Sequence, residues 1–142
     1  MKSIITLLLV TSAILPSSQT TPYSGEYANK NKTENGEVYE WHLSLKEDGT
    51  FLYHFYRDLN CNQCIEEHFY GKGTWKGSKK VITFYAKETD IDVNHTINFN
   101  KSKARVYKKT SKNKSKKNHK QSIWFYASET PSIKGLQLYK EK

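Results

Sequence analysis

The chain has 142 residues, of which 36% are hydrophobic and 13% aromatic, and its formal net charge is +9. This apolar and aromatic content is sufficient for a hydrophobic core and excludes a chain that is disordered overall. The length corresponds to a single domain with one core.

The first segment, residues 1–19, has the pattern of a secretory signal peptide. Lys2 supplies a positive start, an apolar run covers Ile4 to Leu15, and small residues follow it. The run is too short for a membrane-spanning helix, which needs about 20 residues. No cysteine precedes Cys61, so the thiol of a bacterial lipoprotein anchor is missing. We therefore expect a secreted or periplasmic protein in which residues 20–142 form one domain, with no transmembrane segment after cleavage.

Alternating apolar residues bounded by turn signals predict antiparallel strands in the rest of the chain. The most regular region runs from Leu43 to Trp75, where apolar side chains recur at every second position around an Asp48-Gly49 turn. The predicted strands are Gly25 to Ala28, Val38 to Leu45, Thr50 to Tyr56, Glu67 to Trp75, Val81 to Ala86, Val93 to Phe99, Ala104 to Lys108, Ile123 to Ala127 and Leu136 to Tyr139.

Short connections separate these strands, as at Asn35-Gly36 and Lys76-Gly77-Ser78. Short connections favour an antiparallel up-and-down meander, because each strand pairs with the next. About eight such strands close into a small barrel without free edges. The sequence therefore predicts an all-β barrel, and a two-sheet sandwich is the alternative fold.

The alternation also predicts which side chains point into the barrel. The inward set is Tyr39, Trp41, Leu43, Leu45, Phe51, Tyr53, Phe55, Phe69 and Trp75. Gly71 and Gly73 fall on the same face, where they leave room for Phe51 or Tyr53 across the hairpin. So many inward rings favour a filled core over a ligand pocket.

The alternative, a pocket for a small apolar ligand, remains open at this point. His95 shares the alternation of Val93, Ile97 and Phe99, which predicts an inward histidine. A hydrogen-bonded core histidine is the more common state of such a residue than a ligand-binding one. The residues expected to line the pocket are Trp41, Tyr53, Phe69, Trp75 and His95.

Three motifs carry a resemblance to a known family: Gly25-x-Tyr27, Leu43-x-Leu45-x-x-Asp48-Gly49-Thr50-Phe51 and Gly73-Thr74-Trp75. They resemble secreted lipocalin-like small β-barrel proteins of Gram-negative bacteria, including the amino-terminal barrel of copper-homeostasis envelope lipoproteins. The resemblance implies a small lipocalin-like barrel. Its motifs specify fold rather than activity, because many barrels need a tight Asp-Gly hairpin and a strand-closing tryptophan. In those lipoproteins a Cys-x-x-Cys follows the first strand, whereas Cys61 and Cys64 follow a later one.

Cys61 and Cys64 are the two cysteines of the chain. In an exported protein the default state of such a pair is a disulfide, which would contribute about 2 kcal/mol by closing so short a loop. The alternative is a Zn or Cu(I) site at this tip, with His54 and His68 as further ligands because they fall near opposite positions of the hairpin. The disulfide is the favoured interpretation, and no cofactor is expected.

The segment 108–120 is a Lys-rich loop without an acidic residue or an aromatic ring. Such a block is most often a solvated loop, and its functional interpretation is contact with a polyanion such as an acidic envelope surface. Sequence-specific recognition of nucleic acid is not expected, because the loop has neither a groove-entering element nor stacking rings. The basic residues of the loop are Lys108, Lys109, Lys112, Lys114, Lys116, Lys117 and Lys120.

Catalytic signatures are missing from the sequence: it contains no Gly-x-Ser-x-Gly, no phosphate loop and no His-Glu-x-x-His. We therefore predict a non-enzymatic protein of the bacterial envelope that binds a small ligand or has a structural role. The alternatives are polyanion contact through the 108–120 loop and metal handling at the Cys61 and Cys64 tip.

Overall fold

The strands of the protein form a closed antiparallel barrel. The computed structural model describes residues 22–109 and 120–142. In chain order the strands are β1 (Gly25–Lys32), β2 (Val38–Leu45), β3 (Thr50–Asp58), β4 (Glu67–Ser78), β5 (Val81–Tyr85), β6 (Lys103–Lys109), β7 (Lys120–Ala127) and β8 (Gln137–Lys140). Each strand pairs with the next, and β1 also pairs with β8. The predicted all-β, eight-stranded meander is confirmed, and the two-sheet sandwich is excluded.

In the described part of the chain, a short 3₁₀ turn at Glu88–Asp90 accompanies the strands. Within residues 22–109 and 120–142, no helix combines the length and the hydropathy needed to cross a membrane. The predicted signal peptide at residues 1–19 and the centre of the Lys-rich loop, residues 110–119, lie outside the described residues.

The segment between β5 and β6 differs from the prediction, because residues 93–99 are not a strand. The Asp92 carboxylate accepts hydrogen bonds from the backbone N–H groups of Asn94 and His95, at 2.8 Å each. Such side-chain bonds to the backbone favour a turn over an extended strand. The segment then runs beside β4, where the Ile97 N–H donates to the Tyr70 carbonyl at 3.0 Å.

Several strand ends also differ from the prediction, most of all at the end of β1, the end of β4 and the start of β7, which is Lys120 and not Ile123. β1 is a full strand, Gly25–Lys32, and is one of the eight strands of the barrel. Residues 93–99 are not among those eight strands. β4 continues to Ser78, and the turn to β5 is formed by Lys79 and Lys80, both with positive φ. The predicted turn at Lys76-Gly77-Ser78 was therefore placed too early.

Side chains fill the interior of the barrel. Phe51, Phe84, Phe99 and Phe125 are buried, and their ring centroids lie 5.1 to 5.9 Å apart. Aromatic contacts of this kind add about 0.5–1.5 kcal/mol per pair beyond area burial. The other buried apolar residues are Tyr27, Leu43, Leu45, Tyr53, Trp75, Ile82, Ala104, Val106, Ile123, Ile133 and Leu138. This packing agrees with the predicted filled core.

Gly71 and Gly73 make room for the core rings. The register places Gly73 opposite Phe51 and Gly71 opposite Tyr53, as the alternation predicted. A Cβ at Gly73 would overlap the Tyr85 carbonyl oxygen on β5 and would lie 3.0 Å from Phe51 Cε1, and one at Gly71 would lie 2.9 Å from Phe99 Cε2. The ring that uses the space at Gly71 is therefore Phe99, which comes from the irregular segment before β6.

A buried hydrogen bond joins β7 to β1. The side-chain amide of Gln121 donates to the Tyr27 hydroxyl at 2.8 Å, and that hydroxyl donates to the Tyr23 carbonyl at 2.7 Å. Burial raises the pKa of Tyr27 to about 12, so its phenol stays neutral and available for both bonds at neutral pH. These bonds fix the chain leading into β1 against the carboxyl-terminal strands.

Candidate functional site

The residues predicted to line an interior pocket are not brought together around a cavity. Tyr53 and Trp75 are core residues, with 3% and 1% of their surface exposed. The indole N–H of Trp75 lies 3.1 Å from the Lys46 carbonyl oxygen and 3.0 Å from that of Thr50. Trp75 therefore closes the β2–β3 hairpin and is not available to a ligand.

Trp41 and Phe69 lie in a row of stacked inward rings at the end of β2, β3 and β4 nearest the Cys61–Cys64 turn. The order is Tyr39, Trp41, Phe55 and Phe69, with successive ring centroids 6.2, 5.4 and 5.9 Å apart. All four side chains are partly buried. The Arg57 guanidinium carbon lies 5.9 Å from the Phe69 centroid. These rings largely contact one another.

His95 is not inside the barrel, so that prediction was wrong. Its Nδ1 lies 2.9 Å from an Asp92 oxygen, and its ring centroid lies 6.3 Å from that of Tyr70. The error arose because the inward position assumed a strand over residues 93–99. The hydrogen bond from His95, supported by the backbone N–H of Asn94 and by Lys72, holds the pKa of Asp92 below its usual value. Asp92 and His95 thus stabilise the turn.

Cys61 and Cys64 form the tip of the β3–β4 hairpin, with their sulfur atoms within bonding distance and their Cα atoms 5.1 Å apart. His54 and His68 lie back along the strands, where His54 Nε2 is 2.9 Å from His68 Nδ1. Among residues 22–109 and 120–142, no group of three or more His, Cys, Asp or Glu is arranged to hold a metal ion. The alternative metal site is therefore not assembled in this structure.

The outer face of β2, β3 and β4 carries a cluster of histidine and tyrosine rings, in which the sequence predicted the proximity of His54 and His68 but not the contacts with His42 and Tyr70. The His54 ring stacks on Tyr70, with centroids 4.6 Å apart, and on His68 at 5.2 Å. His42 lies on the other side of His54, at 6.2 Å. Partial burial, with His68 and His42 nearby, lowers the pKa of His54. The cluster is held together by ring stacking and by one imidazole–imidazole hydrogen bond.

Charge is distributed unevenly around the barrel. The strands β5, β6, β7 and β8 contain no Asp or Glu, whereas each of β1 to β4 contains one. Ala104 and Val106 are buried, so the alternation directs Lys103 and Arg105 outward, and both are exposed. Lys120 is exposed at the start of β7. This half of the barrel therefore presents positive charge without compensating carboxylates on its strands.

The lysine–carboxylate and arginine–carboxylate pairs found among the described residues lie on the other half. They join Lys30 to Glu40, Arg57 to Glu67 and Lys72 to Asp92. These pairs neutralise part of the charge around β1 to β4. The basic side chains of β6 and β7 are thus left to interact with solvent, with neighbouring rings or with an external anion.

Lysines also gather at one end of the barrel. The Val106 N–H donates to the Lys80 carbonyl at 2.8 Å, so the β4–β5 turn with Lys79 lies beside β6. Lys108 and Lys120, which begin and end the Lys-rich loop, flank the same end. We call Lys79, Lys80, Lys108 and Lys120 the basic end. The predicted polyanion-contact residues Lys112, Lys114, Lys116 and Lys117 lie outside the described residues, and Lys109 is placed within β6.

Aromatic rings lie between the basic side chains of β6 and β7. The register places Arg105 opposite Trp124, whose side chain is 40% exposed. The Arg105 guanidinium carbon is 5.6 Å from the Tyr126 centroid, and Tyr126 is 6.3 Å from Trp124. Tyr107, two residues beyond Arg105, is 45% exposed. Rings and positive charge therefore alternate across this part of the sheet.

The same alternation continues into β8. Lys120 Nζ lies 4.8 Å from the Tyr139 ring centroid. We call the combined surface the aromatic–basic face; its residues are Lys103, Arg105, Tyr107, Lys120, Trp124, Tyr126 and Tyr139. The polyanion contact predicted from the sequence lay in the 108–120 loop and did not include these rings. The sequence contains a pattern that could have indicated this face: the outward positions of the predicted strands at Ala104 to Lys108 and Ile123 to Ala127 hold aromatic rings and a basic residue.

A groove of about 1280 Å³ adjoins the basic end. Its described lining includes Lys108, Lys120 and Tyr139, which connect it to the aromatic–basic face. Lys30 and Glu40 line it from β1 and β2. Glu141 also lines it, so the groove carries both basic and acidic side chains and extends from the basic end onto the outer face of β1 and β2.

Comparison with known proteins gives no relative. No family model, curated protein or solved structure matches the chain. The function is therefore argued from the geometry of this chain alone.

Proposed function

We propose that this barrel is a secreted or periplasmic, non-enzymatic, lipocalin-like protein that binds polyanions through its basic end and aromatic–basic face. The observation that carries the proposal is the absence of carboxylates from β5, β6, β7 and β8, which together present exposed Lys103, Arg105 and Lys120. Lys79, Lys80 and Lys108 extend this charge to the end of the barrel.

The rigid barrel favours such binding because it holds the charged groups in place before the ligand arrives. A charge is screened over about 8 Å at physiological salt, so a polyanion is attracted strongly only where several cations lie close together. At the basic end, the Lys80 carbonyl accepts a hydrogen bond from the Val106 N–H, and Lys108 follows two residues after Val106, so the backbone brings these lysines to neighbouring positions. Binding of this kind weakens as the salt concentration rises.

The test removes charge at the basic end and measures retention on a sulfated-polysaccharide (heparin) column. The variant combines Lys79→Asn, Lys80→Asn and Lys120→Gln. Asparagine tolerates the positive φ values of 51° and 64° at the first two positions, so the turn should be preserved. We expect the variant to elute at a clearly lower salt concentration than the unmodified protein.

A matched control removes the same number of charges at the opposite end of the barrel. It combines Lys32→Gln, Lys101→Gln and Lys134→Gln, all at exposed positions. We expect this control to elute near the unmodified protein. Equal losses in both variants would show that net charge alone governs retention, and the proposal of a localised site would be abandoned.

The proposed location is tested separately. Expression of the whole chain in a Gram-negative host, followed by the intact mass of the exported protein, should show removal of residues 1–19. Recovery of uncleaved protein from the cytoplasm alone would contradict export.

Binding of a small apolar ligand is the second candidate function. Tyr53 and Trp75 fill the core, so the feature that favours it is the row of partly buried rings that includes Trp41. Trp41 fluorescence should respond to such a ligand, and Trp41→Phe should remove the response. A library of apolar compounds without any fluorescence change would leave this candidate without support.

A further inference from the structure

The aromatic–basic face exposes more ring surface than a purely electrostatic contact needs. Trp124 and Tyr107 keep a substantial part of their surface exposed, 40% and 45%, on the same outer face as Arg105. Lysine side chains alone would be sufficient to bind an anion that offers charge but no ring that can stack. Exposed rings next to cations are the arrangement by which proteins hold single strands of nucleic acid, where bases stack on the rings and phosphates meet the cations.

The geometry of β6 and β7 fits both parts of that arrangement. The Trp124 and Tyr126 planes are tilted by 41° with centroids 6.3 Å apart, so neither ring covers the face of the other. Arg105 lies opposite Trp124 in the register and 5.6 Å from the Tyr126 centroid. A base stacked on Trp124 would thus have its phosphate close to a guanidinium.

The surroundings of the face also favour a phosphate backbone. Within the described residues, the carboxylates nearest in sequence to β7 and β8 are Glu129 and Glu141, which lie outside the strands. Lys120, beside Tyr139, and the lysines of the basic end continue the positive charge along the direction of β6 and β7. A strand of several nucleotides could therefore follow β6 and β7 without meeting a carboxylate on those strands, and Glu141, which follows β8 and lines the groove with Lys120, borders this path at the basic end.

We propose that the polyanion is a single-stranded nucleic acid, bound with its bases on Trp124 and Tyr107 and its phosphates on Arg105 and Lys120. This inference rests on the proposed polyanion binding and names its ligand. Recognition is independent of sequence, because every base has a face that can stack. A single strand is favoured over a duplex, since stacking on a side chain requires a base that is not already stacked within a helix.

The experiment measures the binding of fluorescent oligo(dT) of about 20 nucleotides, longer than a typical site, by anisotropy. The decisive variant is Trp124→Leu, which keeps apolar bulk and removes the ring. Loss of one stacking contact should weaken oligo(dT) binding by about 5- to 150-fold. Trp124→Phe should restore most of the affinity, and both variants should keep their retention on heparin.

A matched control removes an exposed ring from another face. Tyr70 on β4 is 38% exposed and stacks on His54. Tyr70→Leu should leave oligo(dT) binding unchanged, and thermal unfolding of each variant establishes that the barrel is intact.

The possible results separate the inference from the function on which it rests. Failure of the unmodified protein to bind both heparin and oligo(dT) would overturn the proposed function itself. Heparin binding with oligo(dT) affinity unchanged in Trp124→Leu, or with tighter binding of duplex DNA, would overturn only the stacking inference. Trp124-dependent binding to vesicles containing phosphatidylglycerol, without oligo(dT) binding, would identify the face as a membrane contact and would also overturn the inference.

Discussion

The ring of Phe99 occupies the space that Gly71 leaves on β4. A Cβ at Gly71 would lie 2.9 Å from Phe99 Cε2 and 3.0 Å from the Ile97 carbonyl oxygen. Phe99 belongs to an irregular segment, yet it is fully buried among Phe51, Phe84 and Phe125. The glycine is therefore what allows a non-strand segment to contribute to the core.

Gly71→Ala should destabilise the protein by about 1–3 kcal/mol, because overpacking at this contact displaces a buried ring and a backbone carbonyl. The free energy of unfolding in urea is the measurement. Gly71→Ala combined with Phe99→Leu should be less destabilised than the sum of the two single variants, since the smaller side chain relieves the clash. Additive effects would contradict direct contact between these two residues.

The hairpins could be predicted from the sequence, because apolar alternation and Asp-Gly or Asn-Gly turns depend on residues that are close together in the chain. They placed Gly71 and Gly73 across the hairpin from Phe51 and Tyr53, and the structure pairs Gly73 with Phe51. The segment 93–99 was misassigned because Val93, His95, Ile97 and Phe99 alternate by chance. Val93 is 92% exposed, and hydrogen bonds to the Asp92 carboxylate bend the chain there. A competing side-chain hydrogen bond of this kind is not visible in hydrophobic periodicity.

The candidate site was harder to predict than the fold. The lysines of the 108–120 loop form a run in the sequence, whereas Lys79, Lys80 and Arg105 come together only through strand pairing. The rings Trp124 and Tyr107 looked like ordinary strand residues, because aromatic residues are common in strands on either face. The feature that distinguishes them is exposure next to cations, and exposure is a property of the folded barrel.

The Trp75 indole provides a second stability prediction. Its N–H lies within 3.1 Å of two carbonyl oxygens, those of Lys46 and Thr50, at the β2–β3 hairpin. Trp75→Phe removes this donor and leaves a small void, so we expect a loss of about 1–3 kcal/mol in unfolding free energy. Trp41→Phe, at a partly buried ring, is the control and should cost less. Equal costs would mean that the indole hydrogen bonds contribute nothing to the hairpin.

The Cys61–Cys64 pair should stabilise the hairpin tip only modestly. The cysteines are three residues apart, and closing such a short loop is worth about 2 kcal/mol in the chain-entropy account. Cys61→Ala combined with Cys64→Ala should lower the unfolding free energy by about that amount and leave the barrel folded. Alkylation without prior reduction checks the pairing directly, since a disulfide leaves both cysteines unmodified. Two alkylated thiols in exported protein would contradict it.

His54 makes the protein sensitive to acid. Burial, with His68 and His42 nearby, places its pKa in the folded state below the 6.5 of the unfolded chain. Between those two pKa values the unfolded state binds more protons, so stability falls as the pH drops through 6.5 toward the folded-state pKa. His54→Phe keeps a ring against Tyr70 and should flatten the decline of melting temperature between about pH 7.5 and pH 5. An unchanged pH profile would assign the acid sensitivity to another group.

The salt dependence of oligo(dT) binding should distinguish the contribution of ring stacking from the contribution of charge on the aromatic–basic face. Each phosphate contact releases counterions, so removing one cation should lower the slope of log affinity against log salt by about 0.7 for a single strand. Arg105→Gln is therefore expected to lower both the slope and the affinity. Trp124→Leu should weaken binding at every salt concentration with its slope unchanged, because stacking on a ring releases no ions. Titrations between about 50 and 200 mM salt measure both quantities. If Arg105→Gln keeps the full slope, its guanidinium does not contact a phosphate, and the placement of the strand along β6 is wrong.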